Sequence, residues 1–140
     1  MFTENMIAPC GLDCSLCSQA HRTQDPCMGC LGPNANKPEF CSTWCGVIRC
    51  ERRKRNHYRF CDLCPVYPCE HITERENRYA SDYALTESPI SNLRAIREQG
   101  MDAFLKEQSQ AWTCASCGGV ISVHDGLCSK CKKQHGKRAT

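Results

Sequence analysis

Large apolar residues are scarce in this chain, with four Phe, two Trp and a thin scatter of Leu, Ile and Val among 140 residues. A core drawn from so few side chains leaves a folded state marginal unless something else holds it. No stretch approaches the ~18 consecutive apolar residues of a membrane-spanning helix, so no membrane association is expected. The opening residues, MFTENMIAPC, lack a basic region followed by an apolar run, so no secretory signal is expected there.

Cysteine is abundant instead, with fifteen residues. That level marks a scaffold built on cysteine, through disulfides or through metal. The count is odd, and most cysteines lie two or three residues from another. Disulfides within C-x-x-C are strained and redox-active rather than structural. The pattern therefore predicts a reduced, cytoplasmic, metal-binding protein rather than a secreted disulfide framework.

The clearest motif is Trp112 to Cys131, WTCASCGGVISVHDGLCSKC. Cys114 and Cys117 form one C-x-x-C pair, and Cys128 and Cys131 form another. Two such turns facing each other supply four soft ligands in the tetrahedron that zinc prefers. Gly118 and Gly119 suit a tight turn that aims backbone amides at thiolates. Val120, Ile121 and Val123 read as a strand and His124-Asp125-Gly126 as its turn, so a β-hairpin zinc ribbon is expected. A rubredoxin-like iron site shares similar spacing.

Eleven cysteines precede the ribbon. Cys10, Cys14 and Cys17 follow C-x3-C-x2-C, a spacing shared with the cluster motif of radical enzymes that use S-adenosylmethionine. The chain is too short for the barrel that surrounds such clusters, and it lacks alternating strands and helices. Three ligands of a zinc site or of a closed cluster fit better. Ser15 to His21 is expected to form a short helix. Cys27, Cys30, Cys41 and Cys45 make C-x2-C-x10-C-x3-C and are expected to form a local zinc finger. Cys50, Cys61, Cys64 and Cys69 complete the candidate ligands, and the sequence does not divide the eleven among sites. Zinc at two or more sites is the expected cofactor, with an iron–sulfur cluster as the alternative.

Charge is unevenly placed. Residues 49–69 carry six basic and two acidic side chains. A helix is expected from Val47 to Tyr58, concentrating Arg49, Arg52, Arg53, Lys54 and Arg55. It reads either as a solvated face or as a phosphate-contacting helix with Tyr58 and Phe60 nearby to stack bases. Lys130, Lys132, Lys133, His135, Lys137 and Arg138 form a second basic block. Glu70 to Ala80 reads as a helix following Pro68. Further on, Ser88-Pro89 is a helix start with Gly100 at its end. Met101, Phe104, Leu105 and Trp112 then give a second amphipathic helix, expected to cover the metal sites.

The order Cys-Gly-Leu-Asp-Cys-Ser-Leu-Cys at 10–17, Cys-Met-Gly-Cys at 27–30, Cys-Gly-Val-Ile-Arg-Cys at 45–50 and Phe-Cys-Asp-Leu-Cys-Pro-Val-Tyr-Pro-Cys-Glu at 60–70 resembles the family catalogued as domain of unknown function 3795. The resemblance covers residues 7–75, and some members continue into a helical stretch and a ribbon. The family has a two-residue gap where this chain has Cys41-Ser-Thr-Trp-Cys45. The resemblance implies a small, cysteine-rich, zinc-bound protein of prokaryotic type with no assigned activity, and it names no catalytic residue to carry over.

The expected fold is small and metal-built, mainly α with irregular Cys-rich loops and a C-terminal β-hairpin zinc ribbon. The expected division is 1–86 for the Cys-rich module, 87–111 for a helical connector and 112–140 for the ribbon. The expected role is interaction, with nucleic acid or another protein, rather than catalysis, since no His or acid stands out as partner to a reactive thiol. The alternative is an iron–sulfur redox or electron-transfer protein using the C-x3-C-x2-C segment.

Overall fold

The structure, a computed structural model, describes residues 2–135. Four α-helices carry the architecture: α1 (Glu51–Asn56), α2 (Glu70–Ser81), α3 (Pro89–Gln99) and α4 (Met101–Trp112). The cysteine-rich segment before α1 is built from turns rather than long elements. The stretch expected as one helix from Ser15 to His21 is two 3₁₀ turns, Cys14–Leu16 and Ser18–His21, with Cys17 extended between them. The Asp13 carboxylate caps the first turn by accepting from Ser15 N at 2.9 Å, which favours a short turn over a continuing helix.

The basic helix is shorter than its charge pattern suggested. It starts only after Cys50 and ends at His57, which sits in the left-handed region at φ 57°. Tyr58 N then donates back to Arg53 O at 3.1 Å, closing the end. Helices α3 and α4 follow their sequence signals. Ser88 Oγ accepts from Ser91 N, Pro89 is the first helical residue, and Gly100 N donates to Ile96 O. The Glu70–Ser81 helix is likewise present.

No β-strand forms among the described residues, so the expected hairpin is corrected to three isolated antiparallel bridges: Thr113–Val120, Ile121–Cys128 and Leu127–Gln134. Turns cut the pairing short on both sides. Gly118 and Gly126 have φ of 80° and 74°, and Lys132 has φ of 64°, so each extended piece ends after one or two residues.

Three small apolar clusters replace one large core. Leu16, Leu85, Trp112, Val120, Ile121 and Val123 pack with Cys114 and Cys128. Ala8, Leu12, Val47 and Ile72 pack with Cys10 and Cys45. Ile7, Phe60, Leu93 and Phe104 form the third. The α3–α4 apolar face thus covers Ile7 and Phe60 through Leu93 and Phe104, while Ile90 packs against the cluster of Cys10 and Cys45 and Trp112 against Cys114 and Cys128. Backbone bonds join the C-terminal segment to the rest, since Val123 N donates to Leu16 O at 2.9 Å and Leu85 N to Val123 O at 3.1 Å.

Gly11 lets α3 approach the Cys10–Cys17 segment. Its φ is 101°, and a Cβ there would lie 2.5 Å from Pro89 O and 2.8 Å from Leu93 Cγ. Gly11→Ala is therefore expected to lower stability by about 2 kcal/mol or more, since strain and a backbone clash coincide. Gly100→Ala, at φ 93° with no atom within 4 Å, should lose only the conformational term, about 1 kcal/mol. Equal losses in urea unfolding of the two variants would contradict the close approach.

Candidate metal centre

The C-terminal site is built by two tight turns that face each other. In the first, Gly118 N donates to Cys114 O at 2.8 Å and Cys114 N to Gly119 O at 2.7 Å. In the second, Lys132 N donates to Cys128 O at 3.1 Å and Cys128 N to Lys133 O at 3.0 Å. Gly118 and Lys132 occupy equivalent left-handed positions, so the same turn is made once with glycine and once with a residue that must tolerate strain. Amides point at sulfur: Gly119 N lies 3.4 Å from Cys117 Sγ and Lys130 N lies 3.4 Å from Cys128 Sγ.

The Sγ atoms of Cys114, Cys117, Cys128 and Cys131 all fall within 4.8 Å of one another. None of the fifteen cysteines is in a disulfide. The donor set fits a metal ion, because four sulfurs on one ion at about 2.3 Å must lie roughly 3.8 Å apart. The electrostatics point the same way. Amides of Cys117 and Ser116 hold the Cys114 thiol below its ordinary value. Burial pushes the Cys128 thiol up, but amides of Cys131 and Lys130 and the Cys117 thiol outweigh it and hold it down to about 6. The Lys133 amide favours a thiolate at Cys131, yet burial and the three neighbouring sulfurs outweigh it and push it up to about 11. Four sulfurs this close cannot all be anionic without a cation between them.

The eleven other cysteines divide differently from their sequence spacing. Cys10, Cys14, Cys17, Cys30, Cys41 and Cys45 face one cavity of ≈ 290 Å³. Cys27 faces another, beside His21 and Met28. Cys50, Cys61, Cys64 and Cys69 surround a third, of ≈ 330 Å³. Cys27, Cys30, Cys41 and Cys45 therefore do not close into one set as their local spacing suggested. Cys14 instead meets Cys30, with the sulfurs 3.5 Å apart across sixteen residues of chain. The Cys14 contact holds the Cys30 thiol down to about 7 against its burial, with Lys37, Arg75 and Arg53 helping. Among the described residues, no other three candidate ligand atoms lie within 4.8 Å of one another.

Several residues that sequence reasoning passed over are placed here. Arg75 is buried and donates to Cys45 Sγ at 2.6 Å. Its signal was available, since it lies three residues after Ile72 on the inward face of α2. Asp13 accepts from Gln108 at 3.0 Å while its own N–H donates to the Glu87 carboxylate at 2.7 Å. The expected basic surface is reassigned in part. Arg53 is half-buried and donates to Val47 O and Ile48 O, both at 3.0 Å, and Arg59 donates to Glu4 O and Ile7 O. Arg49, Arg52, Lys54 and Arg55 are exposed. Phe60 is only 9% exposed and belongs to the core, whereas Trp44, at 63%, faces outward. Lys137 and Arg138 lie outside the described residues.

Residues 6–74 match the model of the family described as protein of unknown function (DUF3795), in agreement with the order of the cysteines. All eleven N-terminal cysteines lie within that match. No curated protein and no solved structure matches the chain. No helix among the described residues is long and apolar enough to cross a membrane.

Burial pushes the Glu87 carboxyl up to about 8, with the neighbouring Asp13 carboxyl adding to it against the Asp13 N–H and Asn92 bonds. A carboxyl raised in the folded state favours folding fully below its unfolded value. That contribution is lost as pH rises from about 4.5 to about 8. Glu87→Gln keeps an oxygen acceptor and removes the charge, so it is expected to raise stability at pH 8 relative to the parent and to change little near pH 5. Denaturant unfolding at the two pH values checks this, and an equal effect at both would contradict the assignment.

Proposed function

We propose that this chain is a zinc protein that works as a binding module rather than a catalyst. The convergence of four thiols at Cys114, Cys117, Cys128 and Cys131 carries the zinc reading. Zinc suits the set because it takes four thiolates, has no geometric preference from its d electrons and does no redox chemistry. Structural zinc contributes roughly 10–16 kcal/mol of apparent binding free energy, which becomes folding free energy. The ion's role here is to hold the C-terminal turns against Leu16 and Leu85. Metal analysis tests this. Cys128→Ala is expected to lower zinc by about one ion per chain, and unchanged zinc content would overturn the reading.

For the partner, a nucleic acid is favoured by the exposed cations of α1 and its approach. Arg49, Arg52, Lys54 and Arg55 are exposed there. The Arg49 guanidinium donates to Thr43 O at 2.9 Å, and Thr43 directly precedes the exposed Trp44. Cations along a backbone track with an outward aromatic suit single strands, through phosphate contact and base stacking. Affinity for a single-stranded oligonucleotide is then expected to fall by about 0.7–0.9 log units per log unit of salt for each phosphate contacted. Arg52→Ala with Arg55→Ala should flatten that slope without changing zinc content. Fluorescence anisotropy reads the slope, and no binding at low salt would leave a protein as the partner. The iron–sulfur alternative rests on the C-x3-C-x2-C segment, whose Cys10, Cys14 and Cys17 line one cavity, rather than on the C-terminal site.

A further inference from the structure

We infer that Cys50, Cys61, Cys64 and Cys69 form a second centre, separate from the C-terminal one, and that it holds an iron–sulfur cluster with four cysteine ligands rather than a single zinc ion. The proposal stands apart from the zinc reading above, because the two sites share no residue and differ in geometry.

The first observation is enclosure. These four thiols, and no other cysteine, face the ≈ 330 Å³ cavity between α1, the Cys61–Leu63 turn and the start of α2. All four are partly buried. They come from three separate pieces of chain, and each piece is pinned. Cys61 N donates to Pro9 O at 2.8 Å, Cys64 N to Cys61 O at 3.0 Å and Tyr67 N to Cys64 O at 3.1 Å. Cys50 directly precedes α1, and Cys69 is the N-cap of the twelve-residue α2.

The second observation is width. Two thiolates on one zinc can be no farther apart than about 4.6 Å, twice the Zn–S distance. The C-terminal four are close to that condition, within 4.8 Å of one another. No three of Cys50, Cys61, Cys64 and Cys69 are so close. A set of four thiols that rings a cavity instead of meeting at a point fits a group with volume of its own. A [4Fe–4S] cube takes four cysteines, one on each iron, and so spaces them wider than a single ion does.

The third observation is charge. Arg52 and Arg53 line the same cavity. The Arg53 side chain is anchored there by Val47 O and Ile48 O. The N-terminal end of α2 adds positive potential at Cys69. Four thiolates on a cluster leave a net anion, and the lining here offers it two guanidinium groups against one carboxylate, Glu70. Loading replaces four S–H protons with four Fe–S bonds; two ferrous and two ferric ions with four sulfides make the 2+ core with no net electron transfer, and the cysteines stay in their thiolate oxidation state.

The test uses the full chain with its zinc in place, handled without oxygen. Ferrous and ferric iron in equal amounts are supplied with sulfide, and iron, zinc and visible absorption are measured after desalting. The parent is expected to gain about four irons per chain at this site, with visible charge-transfer absorption. Cys64→Ala with Cys69→Ala is expected to lose that iron and absorption while zinc stays as in the parent. Cys41→Ala, which alters the neighbouring cavity, should keep them. Alkylation followed by mass spectrometry provides a second readout on the unaltered chain. Cys50, Cys61, Cys64 and Cys69 should be protected after iron and sulfide loading and labelled in chain holding zinc alone. Protection of these four by zinc alone, or iron uptake unaffected by the double substitution, would overturn the proposal.

Discussion

Four sulfur atoms brought within 4.8 Å of one another near the C-terminus are the constraint on which the rest of the molecule depends. Uncharged thiols gain little from such an approach, and thiolates repel. Only a cation between them makes it favourable. Cys114 and Cys128 are at once candidate ligands and members of the apolar cluster with Trp112, Leu16 and Leu85. Whatever holds the sulfurs together therefore also holds the end of α4, the segment after α2 and the N-terminal turns.

This coupling explains how so few apolar side chains suffice. Three clusters of four to eight buried residues would each be weak alone. Cysteines contribute to two of them, as small buried hydrophobes on one side and as polar sulfurs on the other. Arg75 joins the layers, reaching from α2 to Cys45 while its guanidinium also sits 4.7 Å from the Phe40 ring centre. Positive charge inside the cysteine-rich half is part of the same design. Arg53 and Arg59 hold carbonyls of the loop backbone, which regular secondary structure does not satisfy there.

Local signals were legible in the sequence wherever a short stretch decides the outcome. Ser88, Pro89 and Gly100 bound α3 as their chemistry dictates, and two C-x-x-C turns ten residues apart converge. What failed was inference across distance. Spacing within residues 27–45 suggested one finger, but Cys14 meets Cys30, and Cys27 faces elsewhere, because the pairing of knuckles is set by how loops pack. The hairpin was read from apolar alternation at Val120–Val123, yet left-handed turns at both ends leave room only for single bridges. Phe60 looked available for stacking, whereas a core this thin takes up the aromatic and leaves Trp44 outside. Charge density extended α1 on paper; the left-handed His57 ends it.

The central claim is that metal at the C-terminal thiols stands in for core and holds distant segments together. Amide hydrogen exchange on the full reduced chain, with and without a chelator, tests it most directly. The Val123 and Leu85 amides bond to Leu16 O and Val123 O, and so tie the loop between the two cysteine pairs to segments far from it along the chain. The account predicts that removing the metal strips protection from both amides along with those of the cysteine turns. Protection at Val123 and Leu85 that survives complete removal of metal would contradict it.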